Sequence, residues 1–214
     1  MDYVTHVLLP VLRTMAARVN VQVLRRGFYP EGGGEVRVVV DPTSELKPFA
    51  PTGGQPRPAI EGRIVTSKLT PDIADRAQRA MLSKMQHLRV GHIRVEETEA
   101  ASAGISATLW CRRRGGAIGG SGVGKRGYSS EDLGASTAAP LVSALKGDVD
   151  VDEHLLDQVL LYCILATGRS SFTFESMTPH GQTLLDVAYA FAPFNKQVEQ
   201  DGRRQRAVIE GEGL

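Results

Sequence analysis

The sequence predicts an α/β (α+β) protein into which a compact α/β unit is inserted. Three observations carry that expectation. Apolar residues at helical spacing alternate along the chain with short runs at strand spacing, which argues for layers of helix and sheet and against an all-helical bundle. A stretch from Pro42 to Pro58, rich in Pro, Gly and Thr, interrupts the pattern and reads as a boundary or linker. The last part of the chain then returns to the helix-and-hairpin organisation of the first, so residues 1–50 and 148–214 are expected to form one domain around an insertion at 51–147.

The elements follow in order. Val4, Val7, Leu8, Val11, Leu12 and Met15 make an apolar helical stripe from the first residues, and Pro10 inside it is expected to kink the helix or move its start. Val21 and Val23, then Val36, Val38 and Val40, alternate with polar residues on either side of a glycine-rich connection over 27–34, which predicts two strands. After the break, strand-like residues 59–68 lead to a helix opened by Thr70-Pro71-Asp72, with Ile73, Ala77, Ala80, Met81, Met85 and Leu88 on one face. Strands about 92–98 and 105–112, a glycine-rich connection over 115–127 and a helix about 130–145 complete the inserted unit. A helix over 151–166, a strand at 171–174, a helix over 181–192 and a strand at 206–209 close the chain.

Composition excludes more than it names. The 25 Lys and Arg against 24 Asp and Glu give a net charge of +1 over 214 residues, so any nucleic-acid role must come from a local basic patch. No stretch approaches the roughly 20 apolar residues of a membrane helix. Cys111 and Cys163 stand far apart and outside any CxxC, which supports neither a disulfide framework nor a cysteine zinc site and suits a reducing compartment. The opening residues lack the basic region and cleavage site of a secretory signal.

The run Gly119-Gly120-Ser121-Gly122-Val123-Gly124-Lys125-Arg126 fits GxxxxGK but puts Arg126 where a P-loop needs a hydroxyl for Mg²⁺, so a P-loop is rejected. Gly122-x-Gly124-x-x-Gly127 matches a dinucleotide fingerprint only formally, and a flexible connection is the plainer reading. Arg112, Arg113, Arg114, Lys125 and Arg126 form a basic cluster in sequence that could meet phosphates or be solvated loop charge. His6, His87 and His92 have no second ligand at metal spacing and read as structural. His180 follows Thr178-Pro179 at the start of an apolar helix. There an imidazole could face the electropositive helix end and attack a phosphate, or simply cap and pack. His154 and Asp157 share a helix face that could present a carboxylate to a metal or a ligand hydroxyl. The alternative is a polar first turn of a buried helix, with Asp150 and Glu153 as a capping pair.

Taken together, Arg25-Arg26-Gly27-Phe28-Tyr29-Pro30-Glu31-Gly32-Gly33-Gly34-Glu35-Val36, Gly124-Lys125-Arg126-Gly127, Asp152-Glu153-His154-Leu155-Leu156-Asp157-Gln158 and Thr178-Pro179-His180-Gly181-Gln182-Thr183 strongly resemble the RNA 3′-terminal phosphate cyclases, in order and in spacing. The resemblance extends to the Glu210-Gly211-Glu212-Gly213 tail. It implies repeated helix-backed β-sheet units interrupted by a small α/β domain, and a three-step reaction. A histidine takes AMP from ATP, AMP passes to an RNA 3′-phosphate, and the neighbouring 2′-hydroxyl displaces it to leave a 2′,3′-cyclic phosphate. His180 matches the nucleophile, and Asp157 and Gln158 match residues lining the nucleotide pocket. His154 stands where a tyrosine usually stacks near adenine, and Tyr3 falls near another aromatic position of that pocket. Mg²⁺ (or Mn²⁺) is the implied counterion, with Asp157 as a candidate ligand.

The match also departs from the family. A first repeat with an EGGGQ element and phosphate-contacting arginines is absent, so the chain resembles the C-terminal part, and exposed apolar surface with self-association and weak or no activity is expected of it alone. Alternatives are a non-catalytic cyclase-like RNA-binding or ribosome-biogenesis protein, which the presence of both His180 and Asp157-Gln158 disfavours, and an inactive truncated cyclase. The Gly124-Lys125-Arg126-Gly127 and His180-Gly181-Gln182-Thr183 variants look closer to eukaryotic members, which implies a nuclear setting, or cytoplasm in a prokaryote.

Overall fold

A computed structural model describes residues 1–51, 59–191 and 193–213. The chain opens with a π-helical turn, Val4–Leu8, that runs directly into α1, Leu9–Thr14. Pro10 accounts for the irregular start, because a proline ring clashes with the carbonyl four residues back in a regular α-helix. Here the Leu9 N–H instead reaches the Val4 carbonyl five residues back, so the expected kink is taken up as one wide turn. Val7, Leu8, Val11, Leu12 and Met15 remain buried.

Strands β1 (Arg18–Arg25) and β2 (Glu35–Asp41) form the expected antiparallel ribbon, with Val21 opposite Val38 and Val23 opposite Val36. It is two-stranded, and every residue of β2 is exposed. Residues 52–58 of the expected linker lie outside the described residues.

The central unit holds β3 (Ile60–Ser67), α2 (Pro71–Lys84), β4 (Val90–Glu97), β5 (Gly104–Arg113), β6 (Gly116–Val123) and α3 (Ser130–Gly147). Its sheet runs β4-β3-β5-β6, parallel between β3 and β4 and antiparallel elsewhere. Ile64, Met81, Met85, Leu109, Ile118, Leu133 and Leu141 form its core.

One sequence expectation is corrected here. Residues 115–127 are not a flexible connection, because most of them form strand β6, hydrogen-bonded to β5 along its whole length. The glycines are there because two layers of helix press on the strand. A Cβ on Gly119 would come within 2.6 Å of Val7 and of the Leu109 carbonyl, and one on Gly122 within 2.6 Å of the Thr137 hydroxyl. Alternate glycines thus face the opening helix and α3, which can approach only because side chains are missing between them.

The chain ends with α4 (Glu153–Leu165), β7 (Thr167–Phe174), α5 (Pro179–Phe191), β8 (Asn195–Asp201) and β9 (Arg204–Glu212), the strands ordered β7-β9-β8. Ala192, expected in the last helix, lies outside the described residues. Strand β8 was not foreseen, since Asn195-Lys196-Gln197-Val198-Glu199-Gln200-Asp201 offers almost no apolar alternation. It exists as an exposed edge strand, and the Asp201-Gly202 pair that turns it into β9 was its one local signal. The second core joins the opening helix to this segment through Leu12, Met15, Leu155, Val159, Cys163, Phe172 and Ile209, with Trp110 reaching into it from β5. The fold is mixed α/β, with helices layered on mixed and antiparallel sheets.

Candidate functional site

The site residues predicted on helices converge where α4, α5 and the chain start meet. Asp152 is the N-cap of α4, and its carboxylate is the centre of the junction. Its Oδ1 accepts the Tyr3 hydroxyl at 2.7 Å and the N–H groups of His154 and Leu155 at 3.0 and 3.1 Å, while Oδ2 accepts the Gly119 N–H at 2.8 Å. Both Asp152 and Tyr3 are buried. Burial pushes the Asp152 carboxyl up from its ordinary range, and the bonds from Tyr3, Gly119 and Leu155 oppose that rise. Burial, then the adjacent Asp152 charge, lifts the Tyr3 phenol well above its ordinary value, so Tyr3 stays a neutral donor. The expected capping pair of Asp150 and Glu153 is not what forms. Asp150 instead accepts the Thr173 N–H and hydroxyl at 2.8 and 2.7 Å, pinning the entry of α4 to β7.

Downstream on α4, the His154 ring meets Tyr3 edge-on, centroids 6.0 Å apart at 75°. The Gln158 amide donates to the His154 carbonyl at 3.1 Å. Asp157, half-buried, accepts a short hydrogen bond from the Thr178 hydroxyl. The Thr178 oxygen also accepts the Gly181 N–H at 2.9 Å, which makes Thr178 the N-cap of α5 with Pro179 in its first turn. His180 therefore lies within the first turn of α5, two positions later in the helix than the sequence suggested, and its side chain is exposed. Asp157, placed by sequence as a nucleotide or metal contact, is first of all the anchor of the cap that holds His180. The chain Asp157–Thr178–Gly181 was missed by sequence reasoning, although a Thr-Pro step ahead of an apolar helix is a recognisable start signal.

Beside this junction, a cleft of about 410 Å³ opens between α3 and the N-terminal ends of α4 and α5, lined among others by Ser136, Pro140, Asp152, Glu153, Glu175 and Thr178. Its three carboxylates favour neutral or cationic groups over a bare phosphate. A second cleft of about 330 Å³ is lined among others by Tyr3, by Arg25 at the end of β1 and by Arg26 and Phe28 from the β1–β2 connection. Arg26 does not face it as a bare cation, since it pairs with Asp2, which also receives Arg63 at 2.8 Å. Burial alone would raise the Asp2 carboxyl, but the two guanidiniums outweigh it and hold the group down at about 2. His6, expected to be structural, stacks on Trp110 with centroids 3.9 Å apart.

The five-residue basic cluster does not survive folding. Arg112 and Arg113 stand at the turn end of the β5–β6 hairpin, opposite Ala117 and Gly116, whereas Lys125 and Arg126 follow the far end of β6, where Val123 pairs with Ser106. Seven residues of strand separate the two groups, on the order of 23 Å at about 3.3 Å per residue. Arg113 is engaged in structure, donating to the Val149 carbonyl at 2.7 Å and to Asp148 at 2.6 Å. Lys125 lies 5.4 Å from the Tyr128 ring centroid, and Arg126 is exposed.

Helix-backed sheets meeting at a capped helix turn that presents a histidine define a mixed α/β protein of the RNA cyclase fold. Comparison with known proteins places the chain within that class: the family model described as RNA 3′-terminal phosphate cyclase matches residues 1–198, and the chain belongs to this family. It is 32% identical over 219 residues to the RNA 3′-terminal phosphate cyclase of Nitrosospira multiformis, a match covering 100% of this chain and 62% of that protein. It is also 32% identical over 218 residues to that of Pyrobaculum neutrophilum, covering 99% and 62%. For that of Methanococcoides burtonii the identity is 34% over 202 residues, covering 93% and 58%. The chain thus spans about 62% of the length of the first two of these relatives. All three come from cells without a nucleus, so the nuclear setting expected from the sequence has no support from them. Among the described residues no helix is long and apolar enough to cross a membrane.

Proposed function

We propose that this chain carries the adenylylation centre of an RNA 3′-terminal phosphate cyclase, with His180 as nucleophile. The observation that carries the reading is the Asp157–Thr178 tie, which fixes the first turn of α5 and leaves His180 exposed upon it. A ring nitrogen of His180 attacks the α-phosphorus of ATP. A P–N bond forms, the P–O bond to pyrophosphate breaks, and pyrophosphate leaves with its electron pair. The N-terminal end of α5 offsets negative charge as it grows on the phosphoryl oxygens. AMP then passes to a 3′-phosphate oxygen of RNA, restoring the imidazole. Attack by the 2′-hydroxyl on the 3′-phosphorus finally expels AMP, the hydroxyl proton goes to solvent, and the cyclic phosphate remains.

His154 and Tyr3, in edge contact, offer the aromatic wall against which adenine would rest, and Gln158 stands beside them with its amide. Mg²⁺ is commonly held by one or two carboxylates together with substrate phosphates, so Mg²⁺ or Mn²⁺ would arrive with the nucleotide and offset phosphate charge, with Asp157, whose Oδ1 accepts the Thr178 hydroxyl, as its candidate ligand.

The test is intact-mass spectrometry after incubation with ATP and Mg²⁺, alongside His180→Ala. An AMP adduct is expected on the unaltered chain and absent from the variant. A folded, soluble chain that never gains the adduct would refute catalysis by these residues alone. Salt-dependent binding of 3′-phosphorylated RNA without nucleotide turnover would then assign it a binding role.

A further inference from the structure

We infer that the RNA strand is seated across α3, with its 3′-terminal nucleoside in the cleft against α4 and α5 and its preceding phosphates on Lys84 and Lys146. The inference rests on the reading of this chain as a cyclase and adds to it where the RNA lies. The cleft of about 410 Å³ has a neighbour of about 480 Å³ on the side of α3 that meets the end of α2, and both are lined by Ser136, Ala139 and Ser143. Those three recur at helical spacing, so they make one ridge of small side chains between the two clefts, about 10 Å long at about 1.5 Å per residue. Every residue lining either cleft lies between Lys84 and Thr178, so neither wall is made by an end of the chain.

The two sides of the ridge differ in chemistry. The side against α4 is rich in acceptors. Asp152 is spent on four donors, but Glu153 and Glu175 are exposed and hold no hydrogen bond or ion pair among the described residues. Pro140, inside α3, has no N–H for the Ser136 carbonyl, so the wall that these two residues form carries a further acceptor. A group seated there must donate. The N–H groups of a base and a ribose hydroxyl can do so, and a phosphate cannot. Carboxylates also accept from the amino group of cytosine, which uracil lacks, so a terminal cytidine should be preferred to a terminal uridine. The side toward α2 carries Lys84 and Lys146, both exposed, with no carboxylate in its lining, and that is where backbone phosphates are favoured. Thr178 bounds the first cleft and caps α5, so a nucleoside held there has its 3′-phosphate beside the turn that bears His180.

The experiment is fluorescence anisotropy, without ATP, of two labelled six-residue RNAs carrying a 3′-phosphate. Both are uridine throughout except for one cytidine, placed last in one and third in the other. Each is titrated over a range of salt with the chain and with two double variants, Lys84→Ala/Lys146→Ala and Glu153→Ala/Glu175→Ala, whose folding is checked by circular dichroism. The unaltered chain should bind the RNA ending in cytidine about fivefold or more tightly than the other. The lysine variant should weaken both RNAs alike and reduce the salt slope by about 1.4, at about 0.7 per neutralised phosphate on a single strand. The glutamate variant should lose the preference for terminal cytidine. Failure of the unaltered chain to bind either RNA would overturn the inference. So would a lysine variant with unchanged affinity and slope, or a preference that is missing or outlives both carboxylates. The AMP adduct is scored separately on the unaltered chain. An adduct together with any of these failures removes the groove and keeps the histidine, whereas the expected RNA binding without an adduct removes the histidine and keeps the groove.

Discussion

Replacing Asp152 with alanine should cost this chain a large part of its stability. The carboxylate serves four donors in one buried place: the Tyr3 hydroxyl, the Gly119 N–H and the first N–H groups of α4. Loss of an N-cap costs about 1 kcal/mol. Each buried donor left without an acceptor costs about 1–3 kcal/mol, and here there are two, the hydroxyl and the strand amide. The expected loss is therefore about 4 kcal/mol, against a total of about 5–15 kcal/mol for a typical domain. Urea unfolding followed both by circular dichroism and by the fluorescence of Trp110 measures it and checks that the transitions coincide. Tyr3→Phe alone should cost about 1 kcal/mol, and the double variant should fall short of additivity by about 1 kcal/mol or more, because the phenylalanine no longer strands a hydroxyl. Asp152→Asn, which keeps the cap but turns a donor toward Gly119 or Tyr3, should lie between. A loss under about 1 kcal/mol for Asp152→Ala, or a strictly additive pair, would refute the hub.

Three further outcomes follow from the same contacts. Thr178→Val removes the oxygen that caps Gly181 and the hydroxyl that ties to Asp157, so hydrogen exchange in the first turn of α5 should quicken by about fivefold or more, corresponding to about 1 kcal/mol, and any His180 adduct should fall with it. The Asp2 carboxyl is held at about 2 against an ordinary 3.8, a lowered value, so its contribution is complete above about pH 4 and fades as pH falls toward 2. At about 1.4 kcal/mol per pH unit the pairing is worth roughly 2 kcal/mol, and melts of Asp2→Asn at neutral and acid pH should show that gap closing as pH falls. Both cysteines are buried, and burial pushes the Cys163 thiol up to about 12, so a thiol reagent at pH 8 should label neither until the chain is unfolded.

The fold class and most elements were legible because they rest on local periodicity. The apolar stripe over Val4–Met15, the paired valines of β1 and β2 and the run that became α4 each announce themselves within a dozen residues. Features that depend on what lies opposite were not legible. Gly119, Gly120 and Gly122 look like a loop until α3 and the opening helix are placed on either side of them. Arg112–Arg114 and Lys125–Arg126 look like one patch until β5 and β6 pair and carry them to opposite ends of a hairpin. Strand β8 is held by β9 and not by its own side chains. At the candidate site, His154, Asp157, Gln158 and His180 could be named from their spacing and their resemblance to a family. The hydroxyl of Thr178 and the carboxylate of Asp152, which hold them in place, act across 21 residues in one case and 149 in the other, beyond the reach of any local pattern.

The thinness of β6 has a bearing on how the central unit can be handled. Because bare backbone lies between the opening helix and α3, the Gly119 N–H reaches Asp152 directly, and the strand acts as a spacer gauge for the start of α4. His6 and Trp110 make a second seam from the same sheet to the opening helix. The unit spanning residues 60–147 is therefore not a detachable ornament. Splicing it out would strip one donor from the carboxylate that caps the site helix and uncover one face of the opening helix, so a shortened chain would lose the scaffold of the histidine turn along with the insertion.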